Sequence, residues 1–432
     1  MKFNIYTLGC KVNTYESNVM ADQLRNHGYE EVSDNEPADI AIINTCSVTN
    51  AADHKSMKTI RHAIQANPNA IIVVCGCLVQ KDKKIEIDGV DIIIGNQGKS
   101  NIVEYIEKYK QENQKIEVVT PIENVTFEPM QLNNFNKTRA FVKIQDGCNN
   151  FCTYCIIPYT RGNVRSKKRE DVLEEVKSLV NHGHKEIVLT GIHTGNYGAE
   201  FENYDFADLL NDLIQIEGLE RIRISSIEAT ELNDRVLDVF HKSSILVDHL
   251  HIPLQSGSDT VLKRMNRKYN TKEFIEKIEQ IRRIRPNISI TTDVITGFPG
   301  ETEEEFEETI NTIRKVGFAK LHVFPFSKRD GTAACRLPNH LDNTIKKERA
   351  RKLITLSKEL EIAYMNEFIG QTVEVLPETT YEKGIIGHTG NYLLVKIETD
   401  DKNLSNKRNI TIQSIEYPYC KGYEKVDDFV KI

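Results

Sequence analysis

The stretch Ala140-Phe-Val-Lys-Ile-Gln145-Asp-Gly-Cys148-Asn-Asn-Phe-Cys152-Thr-Tyr-Cys155 decides how this 432-residue chain is interpreted. Its first six residues are a strand-like run, and three cysteines at C-x3-C-x2-C spacing follow at once. Three thiolates on so compact a loop can hold three irons of a four-iron cluster and leave the fourth iron open. A structural zinc site would want a fourth protein ligand, and none follows at zinc-finger spacing. A closed zinc site or a loop of buried thiols remains the alternative.

The segment around this loop predicts an incomplete parallel (βα)6 barrel over residues 139–368. Five further apolar runs follow the first, and helical periodicity separates them. Right-handed crossovers would place all the carboxyl-end loops on one face of such a barrel. The six predicted strands are Ala140–Gln145, Glu186–Thr190, Arg221–Ser226, a run ending in His249–Pro253, Ile288–Ile295 and Ala319–Phe326. A long charged helix, from about Lys346 to Phe368, closes the segment.

Two smaller units flank the barrel. Residues 1–110 alternate strands with helices and predict a parallel α/β sandwich, with strands at Phe3–Leu8, Asp39–Asn44, Ala70–Val74 and Asp91–Ile94. Residues 111–138 are polar, contain Pro121 and Pro129, and read as a strandless linker. Residues 369–432 carry only short β-like runs, which predict a small β-barrel. The fold class is therefore α/β with a β module at the end.

A second trio of cysteines follows strands of the N-terminal sandwich. Cys10, Cys46 and Cys77 each lie at or just past the end of a predicted strand. Because the carboxyl ends of parallel strands share one edge, we expect the three thiols to converge and to hold a second cluster. Cys75 competes with Cys77, but alternation along the strand keeps Cys75 within the sheet. The alternative is that each is an ordinary buried cysteine.

Composition narrows the class of protein. The formal net charge is −7 and the pI is about 6.0, so any contact with RNA must use local basic patches. Nine cysteines favour metal or redox chemistry in a reducing compartment, with Cys335 and Cys420 as structural residues. The start of the chain lacks a charged leader with an apolar run, which predicts a soluble cytoplasmic protein without a membrane segment.

Five segments together resemble the methylthiotransferase family of the radical S-adenosylmethionine superfamily, and the resemblance covers essentially the whole chain. They are Thr7-Leu-Gly-Cys10-Lys-Val-Asn13, Asn44-Thr-Cys46, Gly76-Cys77-Leu-Val-Gln80, the loop of Cys148, Cys152 and Cys155, and the terminal β segment. The TLGCKVN form is similar to that of the MtaB-type members, whose substrate is N6-threonylcarbamoyladenosine at tRNA position 37. The terminal segment resembles the TRAM domain, an RNA-binding β-barrel. Acidic residues slightly outnumber basic ones there, which predicts that it positions tRNA rather than attracts it.

The resemblance implies two [4Fe-4S] clusters and S-adenosylmethionine, whose methionine part the open iron of the barrel cluster would chelate. It implies that a 5′-deoxyadenosyl radical abstracts hydrogen from C2 of adenine and that the second cluster delivers a methylthio group. It also implies contacts to the cofactor, although glycine and proline after strands are ordinary turn residues too. The cofactor-binding candidates are Tyr154, Gly191, Ser226, Glu228, Gln255, Ser256 and Gly297.

The implied partners are the anticodon loop of a tRNA, in which unstacking a base costs little, and an electron donor such as a flavodoxin or ferredoxin. The sequence does not indicate the sulfur donor. Basic residues near the cluster loop and on the long helix are candidate RNA contacts, although charge runs are usually only solvated faces. They are Arg161, Arg165, Lys167, Lys168 and Arg169, and Lys346, Lys347, Arg349, Arg351 and Lys352.

Two other interpretations stay open. A sister enzyme of the same architecture would act on N6-isopentenyladenosine in tRNA or on an aspartate of a ribosomal protein, and only Lys11-Val12-Asn13 argues against it. A non-catalytic iron–sulfur protein that binds RNA or transfers electrons would explain the cysteines but not the glycine-containing blocks.

Overall fold

The computed structural model describes residues 1–82, 87–123, 125–133, 135 and 138–424. Its N-terminal part is a parallel six-stranded sheet in the order β2-β1-β3-β4-β5-β6. The strands are β1 (Lys2–Thr7), β2 (Glu30–Glu31), β3 (Ile40–Thr45), β4 (Ile71–Gly76), β5 (Ile92–Ile94) and β6 (Ile116–Val118). Apolar clusters on both faces bury the sheet under helices α1 (Lys11–Asn26), α2 (Asn50–Ala66), α3 (Cys77–Lys81) and α4 (Ile102–Glu112). This is the predicted α/β sandwich.

The central part is an incomplete parallel barrel made of two three-stranded sheets, β11-β10-β7 and β12-β13-β14. Its strands are β7 (Arg139–Lys143), β10 (Glu186–Thr190), β11 (Arg221–Ile224), β12 (His249–His251), β13 (Ser289–Thr296) and β14 (Lys320–Pro325). A backbone bridge between Ile222 and Leu246 joins the two sheets. The barrel therefore stays open between its first and last strands, β7 and β14. The six predicted barrel strands are therefore confirmed.

Helices surround the barrel, and a short antiparallel hairpin stands at its mouth. The helices are α5 (Ile157–Arg161), α6 (Arg169–Asn181), α7 (Phe206–Leu213), α8 (Asp234–Lys242), α9 (Asp259–Arg264), α10 (Thr271–Ile284), α11 (Glu303–Val316) and α12 (Asn343–Asn366). The hairpin pairs β8 (Gln145–Asp146) with β9 (Arg165–Ser166), so it closes the base of the cysteine loop. Tyr15 and Val19 of α1 belong to the barrel's own apolar core, so the sandwich packs directly against the barrel.

The C-terminal part is a closed five-stranded barrel in the order β15-β16-β17-β19-β18. Its strands are β15 (Thr372–Tyr381), β16 (Gly384–Thr389), β17 (Leu394–Glu398), β18 (Arg408–Glu416) and β19 (Tyr419–Glu424). Closure pairs every edge strand, which explains how so few residues make a stable module. The predicted small β-barrel is confirmed, although β19 was missed; residues 425–432 lie outside the described residues.

The prediction of a strandless linker over residues 111–138 is wrong in one respect. β6 pairs with β5 through Ile92 and Ile116 and completes the first sheet. Its sequence, Ile-Glu-Val, is too short to stand out from polar neighbours. Residues 124, 134, 136 and 137 of that segment lie outside the described residues. No helix in the described part of the chain is long and apolar enough to cross a membrane.

Candidate functional site

Cys10, Cys46 and Cys77 come together at the carboxyl edge of the N-terminal sheet. Cys10 immediately precedes α1, Cys46 follows β3, and Cys77 opens α3. Gly9, at φ +99°, makes the approach possible, because a Cβ there would lie 2.8 Å from the Cys46 Sγ. The three cysteines therefore lie just past the ends of the neighbouring strands β1, β3 and β4, and their joint binding of a cluster stays a prediction.

Burial, opposed by the backbone amide of Val48 and supported by the neighbouring Cys77 and Cys10, raises the pKa of the Cys46 thiol to about 11. Desolvation of its thiol also raises the pKa of Cys10, although the residue as a whole is exposed, and Cys77 is again among the causes. The three thiols thus lie close enough to act on one another electrostatically. Cys75 instead belongs to the apolar core on one face of the sheet and is fully buried. Its position fits the expectation that Cys77, not Cys75, is the third member.

The barrel trio lies on the loop that the β8–β9 hairpin closes. The backbone amide of Cys148 donates to the carbonyl of Gly162 (3.0 Å), which fixes the ends of the loop. The amide of Asn150 donates to the Cys148 Sγ (3.5 Å), and the guanidinium of Arg267 donates to the Cys152 Sγ (3.4 Å). Burial raises the pKa of Cys155 to about 12. Two N–H donors therefore face this trio, and the one from Arg267 also carries a positive charge.

Helix α5 connects the two trios. It begins two residues after Cys155 and ends at Arg161. The side-chain amide of Asn96 donates both to the Cys77 Sγ (3.4 Å) and to the carbonyl of Thr160 in α5 (2.8 Å). The guanidinium of Arg161 donates to the Asn13 Oδ1 (2.7 Å) and is among the charges that lower the pKa of Cys10. The sandwich trio and the barrel loop therefore face the same interface.

A buried ion network fills that interface. Glu16 and Asp146 are its carboxylates, and Lys99, Lys143, Arg161 and Arg165 are its cations. Burial opposes ionisation of Glu16, but Arg161, Lys143 and Lys99 outweigh it and hold its pKa well below the usual range. Four cations face two carboxylates, so the network carries a positive excess next to the sandwich trio. A positive excess stabilises the thiolate form of nearby cysteines over the thiol form, and it stabilises any other anionic group that lies beside the network.

The prediction that Arg161, Arg165 and Lys167 contact RNA is wrong for this structure, because all three are buried. Arg161 is fully buried and Lys167 is 2% exposed, with its ammonium 2.6 Å from Glu175. The sequence shows that these residues are basic. The carboxylates that pair with them in the interior come from distant parts of the chain. Lys346 and Arg349 are also buried, whereas the exposed basic candidates are Lys168, Arg169, Lys347, Arg351 and Lys352.

Three of the cofactor-binding candidates lie beside the barrel trio or its loop. Tyr154 packs beside Phe298 and Phe326, and Cys152 and Cys155 are among the groups that act on its pKa, which burial raises. Glu228 pairs with Arg267, the residue that reaches Cys152. A Cβ on Gly191 would lie 3.0 Å from the Gln145 Oε1, so this glycine makes room for the side chain of Gln145 in β8, at the base of the cysteine loop. Ser226 and Gln255 are partly exposed at the ends of barrel segments, and Gln255 has φ +64°.

Two candidates turn out to have packing roles. Ser256 is fully buried, and its hydroxyl lies 3.3 Å from that of Thr309 in α11 and accepts from the amide of Ser258. Gly297, at φ +70°, makes room for the side chain of Lys346 in α12. The strand-end position that suggested a cofactor contact for both residues also marks ordinary turns, so their assignment to the cofactor stays a prediction.

Sequence reasoning missed Arg267, Asn96 and His193 as site residues. His193 lies 3.8 Å from the Cys148 Sγ through its Nδ1 and pairs with Glu231. Arg267 and Asn96 are far from any cysteine in sequence, so no local spacing could reveal them. Only His193 carries a signal in the sequence, because it lies two residues past the cofactor-binding candidate Gly191.

The donor sets fit iron–sulfur clusters. Each trio offers three thiols, with N–H groups or cations aimed at them, as anionic clusters require. Among the described residues, no three potential ligands converge tightly enough for one metal ion. In a four-iron cluster each thiolate binds a different iron, so its ligands do not converge on one point.

Two family models match the chain. Residues 2–95 match the uncharacterized protein family UPF0004, and residues 142–313 match the radical SAM superfamily. The chain is 44% identical over 96% of its length to a threonylcarbamoyladenosine tRNA methylthiotransferase, MtaB, of Bacillus subtilis, covering 95% of that protein. It is 40% identical to MtaB of Chlamydia pneumoniae, over 90% of this chain and 89% of that one. A tRNA-2-methylthio-N(6)-dimethylallyladenosine synthase of Clostridium perfringens is 35% identical over 95% of this chain and 94% of its own.

Solved structures share the fold at low identity. The radical S-adenosylmethionine methyltransferase TsrM of Kitasatospora setae superposes with a TM-score of 0.55 at 12% identity, covering 75% of this chain and 74% of that one. The cobalamin-dependent S-adenosylmethionine radical enzyme OxsB gives 0.50 at 13% identity, covering 84% and 56%. These likenesses support the arrangement of sandwich and barrel.

Proposed function

Because the chain belongs to the radical S-adenosylmethionine tRNA methylthiotransferases, we propose that it transfers a methylthio group to C2 of N6-threonylcarbamoyladenosine at position 37 of tRNA. The observation that carries the proposal is that α5, which begins two residues after Cys155, contacts the sandwich trio at its other end, where Asn96 joins Cys77 to Thr160. The relatives that are named for threonylcarbamoyladenosine are more similar to this chain than those named for dimethylallyladenosine.

In this proposal Cys148, Cys152 and Cys155 hold one [4Fe-4S] cluster, and Cys10, Cys46 and Cys77 hold a second. Bound there, the clusters and S-adenosylmethionine supply hydrogen abstraction from C2 and the methyl and sulfur groups that replace it. Tyr154, Gly191 and Glu228 contribute to the cofactor pocket, with Ser226 and Gln255 at its rim. The family supports a cluster and S-adenosylmethionine as such.

The chain's own residues prepare this chemistry in three ways. Arg267 offers hydrogen bonds and positive charge to the barrel trio, and the excess cations around Arg161 do the same for the sandwich trio. α5 holds the two trios at a fixed separation, so that hydrogen removal and sulfur delivery address the same carbon. Residues 1–110 thus provide the sulfur-donating unit, 139–368 the radical unit and 369–432 the tRNA-positioning unit, with 111–138 joining the first two.

The experiment compares iron and sulfide content of anaerobically reconstituted wild type with Cys10→Ala and Cys148→Ala proteins. Each substitution should remove about half of the iron, because each disables one of two four-iron sites. Cys75→Ala is the matched control, since this cysteine lies two residues from Cys77 but faces the apolar core, and it should keep full iron content.

Activity is then tested on tRNA carrying N6-threonylcarbamoyladenosine and on tRNA carrying the isopentenyl base, with nucleosides analysed by mass spectrometry. Wild type should methylthiolate the first. Methylthiolation of the isopentenyl base alone would assign the chain to the sister activity. A protein that releases no 5′-deoxyadenosine from S-adenosylmethionine under reducing conditions would be a non-catalytic iron–sulfur protein.

A further inference from the structure

A cavity of about 360 Å³ lies where the sandwich, the barrel and the terminal module meet. Its lining residues come from several elements. Lys11 is the first residue of α1, His249 and Thr291 lie on β12 and β13, and Tyr392 lies in the turn before β17. None of the six proposed cluster ligands lines it, yet Lys11 follows Cys10 directly in the chain. A ligand in this cavity would therefore lie near the sandwich trio.

Most charged groups of the cavity wall are neutralised in pairs, and Lys11 is not. Within the described part of the chain, no carboxylate lies at ion-pair distance from the Lys11 ammonium. Its charge is thus available to a ligand in the cavity. Lys320 is neutralised by Glu361 (2.8 Å), and the imidazoles of His388 and His251 contact the carboxylates of Glu378 (2.9 Å) and Asp293 (3.3 Å).

His249 supplies a second unsatisfied polar group on the same wall. It is only 7% exposed, and its Nδ1 has no hydrogen-bond partner among the described residues. Its Nε2 lies 3.2 Å from the Thr291 hydroxyl, which also lies 2.9 Å from the His251 Nδ1. Because the His251 Nε2 faces the carboxylate of Asp293, the Thr291 hydroxyl donates to His251 and accepts from the His249 Nε2–H, so the neutral His249 ring keeps an acceptor lone pair on Nδ1. A buried acceptor without a partner is costly, and a bound N–H or O–H donor would remove that cost.

We propose that Lys11 binds the carboxylate of the substituent on N6 of the target adenosine, and that the His249 Nδ1 accepts a hydrogen bond from an N–H or O–H group of the same substituent. The cavity would then select an acidic N6-threonylcarbamoyl group over an apolar N6-dimethylallyl group. This inference rests on the proposed function and names the group by which the protein distinguishes its substrate from adenosine with an apolar N6 substituent. A site built to satisfy a charged group rejects an analogue without that group, because its own polar atoms would be left unpaired.

The chemistry of adenine makes the placement reasonable. C2 and C6 flank N1 on one edge of the ring, so a base that presents C2 to the sandwich trio carries its N6 substituent along the same side. Lys11 is covalently next to Cys10, and the ring of His249 packs against that of Tyr392 at a tilt of 49°, with ring centroids 4.6 Å apart. The trio and the substituent's binding site are thus adjacent without sharing a side chain.

The test uses full-length reconstituted wild type, Lys11→Gln and Lys11→Arg, with two substrates. One is tRNA carrying N6-threonylcarbamoyladenosine, and the other is the same tRNA with the threonyl carboxylate converted to a neutral carboxamide. Lys11→Gln should lower kcat/KM on the acidic tRNA roughly 10- to 100-fold, the range of a charge-assisted hydrogen bond. It should not change kcat/KM on the carboxamide tRNA, where wild type is already reduced by a similar factor. Lys11→Arg should keep part of the preference.

Lys242→Gln is the control, because Lys242 is an exposed lysine of α8 that pairs with Asp238 and lies outside the cavity. It should keep the wild-type preference for the acidic tRNA. Iron content and tRNA-free release of 5′-deoxyadenosine show whether Lys11→Gln has damaged the clusters. Equal losses on both tRNAs, or a wild type that does not distinguish them, would overturn the inference while leaving the proposed function intact. A wild type that methylthiolates neither tRNA would overturn both.

Discussion

Glu16 is the residue on which the packing of the sandwich against the barrel depends most. Its carboxylate is fully buried and pairs with Lys99 of its own unit and with Lys143 and Arg161 of the barrel. Removing one partner from a buried ionic group leaves uncompensated charge, which costs about 3–5 kcal/mol. Glu16→Gln should therefore lower the free energy of unfolding by about that amount, measured by urea denaturation.

The control for this prediction is Glu31→Gln, which removes a carboxylate from an ion pair with Arg25 near the surface. Solvent screens such pairs, so the urea midpoint should hardly move. If Glu16→Gln were as mild as Glu31→Gln, the buried network would contribute little to the interface, and apolar packing of Tyr15 and Val19 would hold it instead.

Arg267 should tune the barrel cluster rather than hold it. Its side chain is 4% exposed and joins Cys152 to Glu228. A reduced cluster carries more negative charge, so loss of a nearby cation disfavours reduction. Arg267→Gln should keep the iron and lower the midpoint potential by on the order of 100 mV, followed by redox titration with EPR detection. Arg264→Gln, which breaks an ion pair with Glu305 in the neighbouring helix, should leave the potential unchanged. Loss of iron at unchanged potential would instead make Arg267 structural.

At the level of single elements, the hairpin β8–β9 closes the cysteine loop through Gly147. This glycine has φ +74°, and a Cβ there would overlap the carbonyl oxygen of Asn163. Gly147→Ala should push β8 and β9 apart and remove about half of the iron, measured after anaerobic reconstitution.

Gly183 also has positive φ, +92°, but nothing lies within 4 Å of its missing Cβ. Gly183→Ala should cost only backbone strain, about 1–2 kcal/mol, and retain the iron. Equal iron content in both variants would contradict this role of Gly147.

Elements with strong periodicity could be predicted from sequence, and short ones could not. β10 was predicted at Glu186–Thr190 as observed, because its apolar run is bounded by turn residues. β6 and β19 could not be predicted, because β6 has only three residues and β19, Tyr-Cys-Lys-Gly-Tyr-Glu, has no apolar run; β6 is stabilised by pairing with β5, and β19 by pairing with β17 and β18. The trio Cys10, Cys46 and Cys77 was predictable because strand ends of a parallel sheet share an edge.

At the scale of the whole molecule, sequence reveals charge but not the partner that buries it. Arg161 and Arg165 look like a basic patch in sequence, yet Glu16 lies 145 positions before Arg161 and still pairs with it. Arg267 reaches Cys152 across 115 positions. Such long-range pairs depend on how units pack, which no local pattern encodes. The lining of the Lys11 cavity, drawn from all three units, was inaccessible for the same reason.

Arg223 of β11 helps to hold the terminal module against the barrel. This arginine is buried, pairs with Glu186 (2.8 Å), donates to the carbonyl of Gly390 (3.1 Å) and lies 4.2 Å from the ring centre of Tyr392. Arg223→Ala should leave Glu186 and the Gly390 carbonyl without this partner, so the module should unfold in a separate, earlier transition by calorimetry.

Undocking would also move Tyr392 away from Lys11 and open the cavity that both residues line. Arg223→Ala should therefore reduce the preference for tRNA with the acidic N6 group even though Lys11 is intact, as measured by kcat/KM on the acidic and carboxamide tRNAs. Arg235→Ala, which removes an exposed arginine paired with Asp205 and Asp208, should change neither the transition nor the preference. A separate transition without any change in preference would show that the sandwich and barrel alone shape the substituent's site, because the module would then contribute only stability.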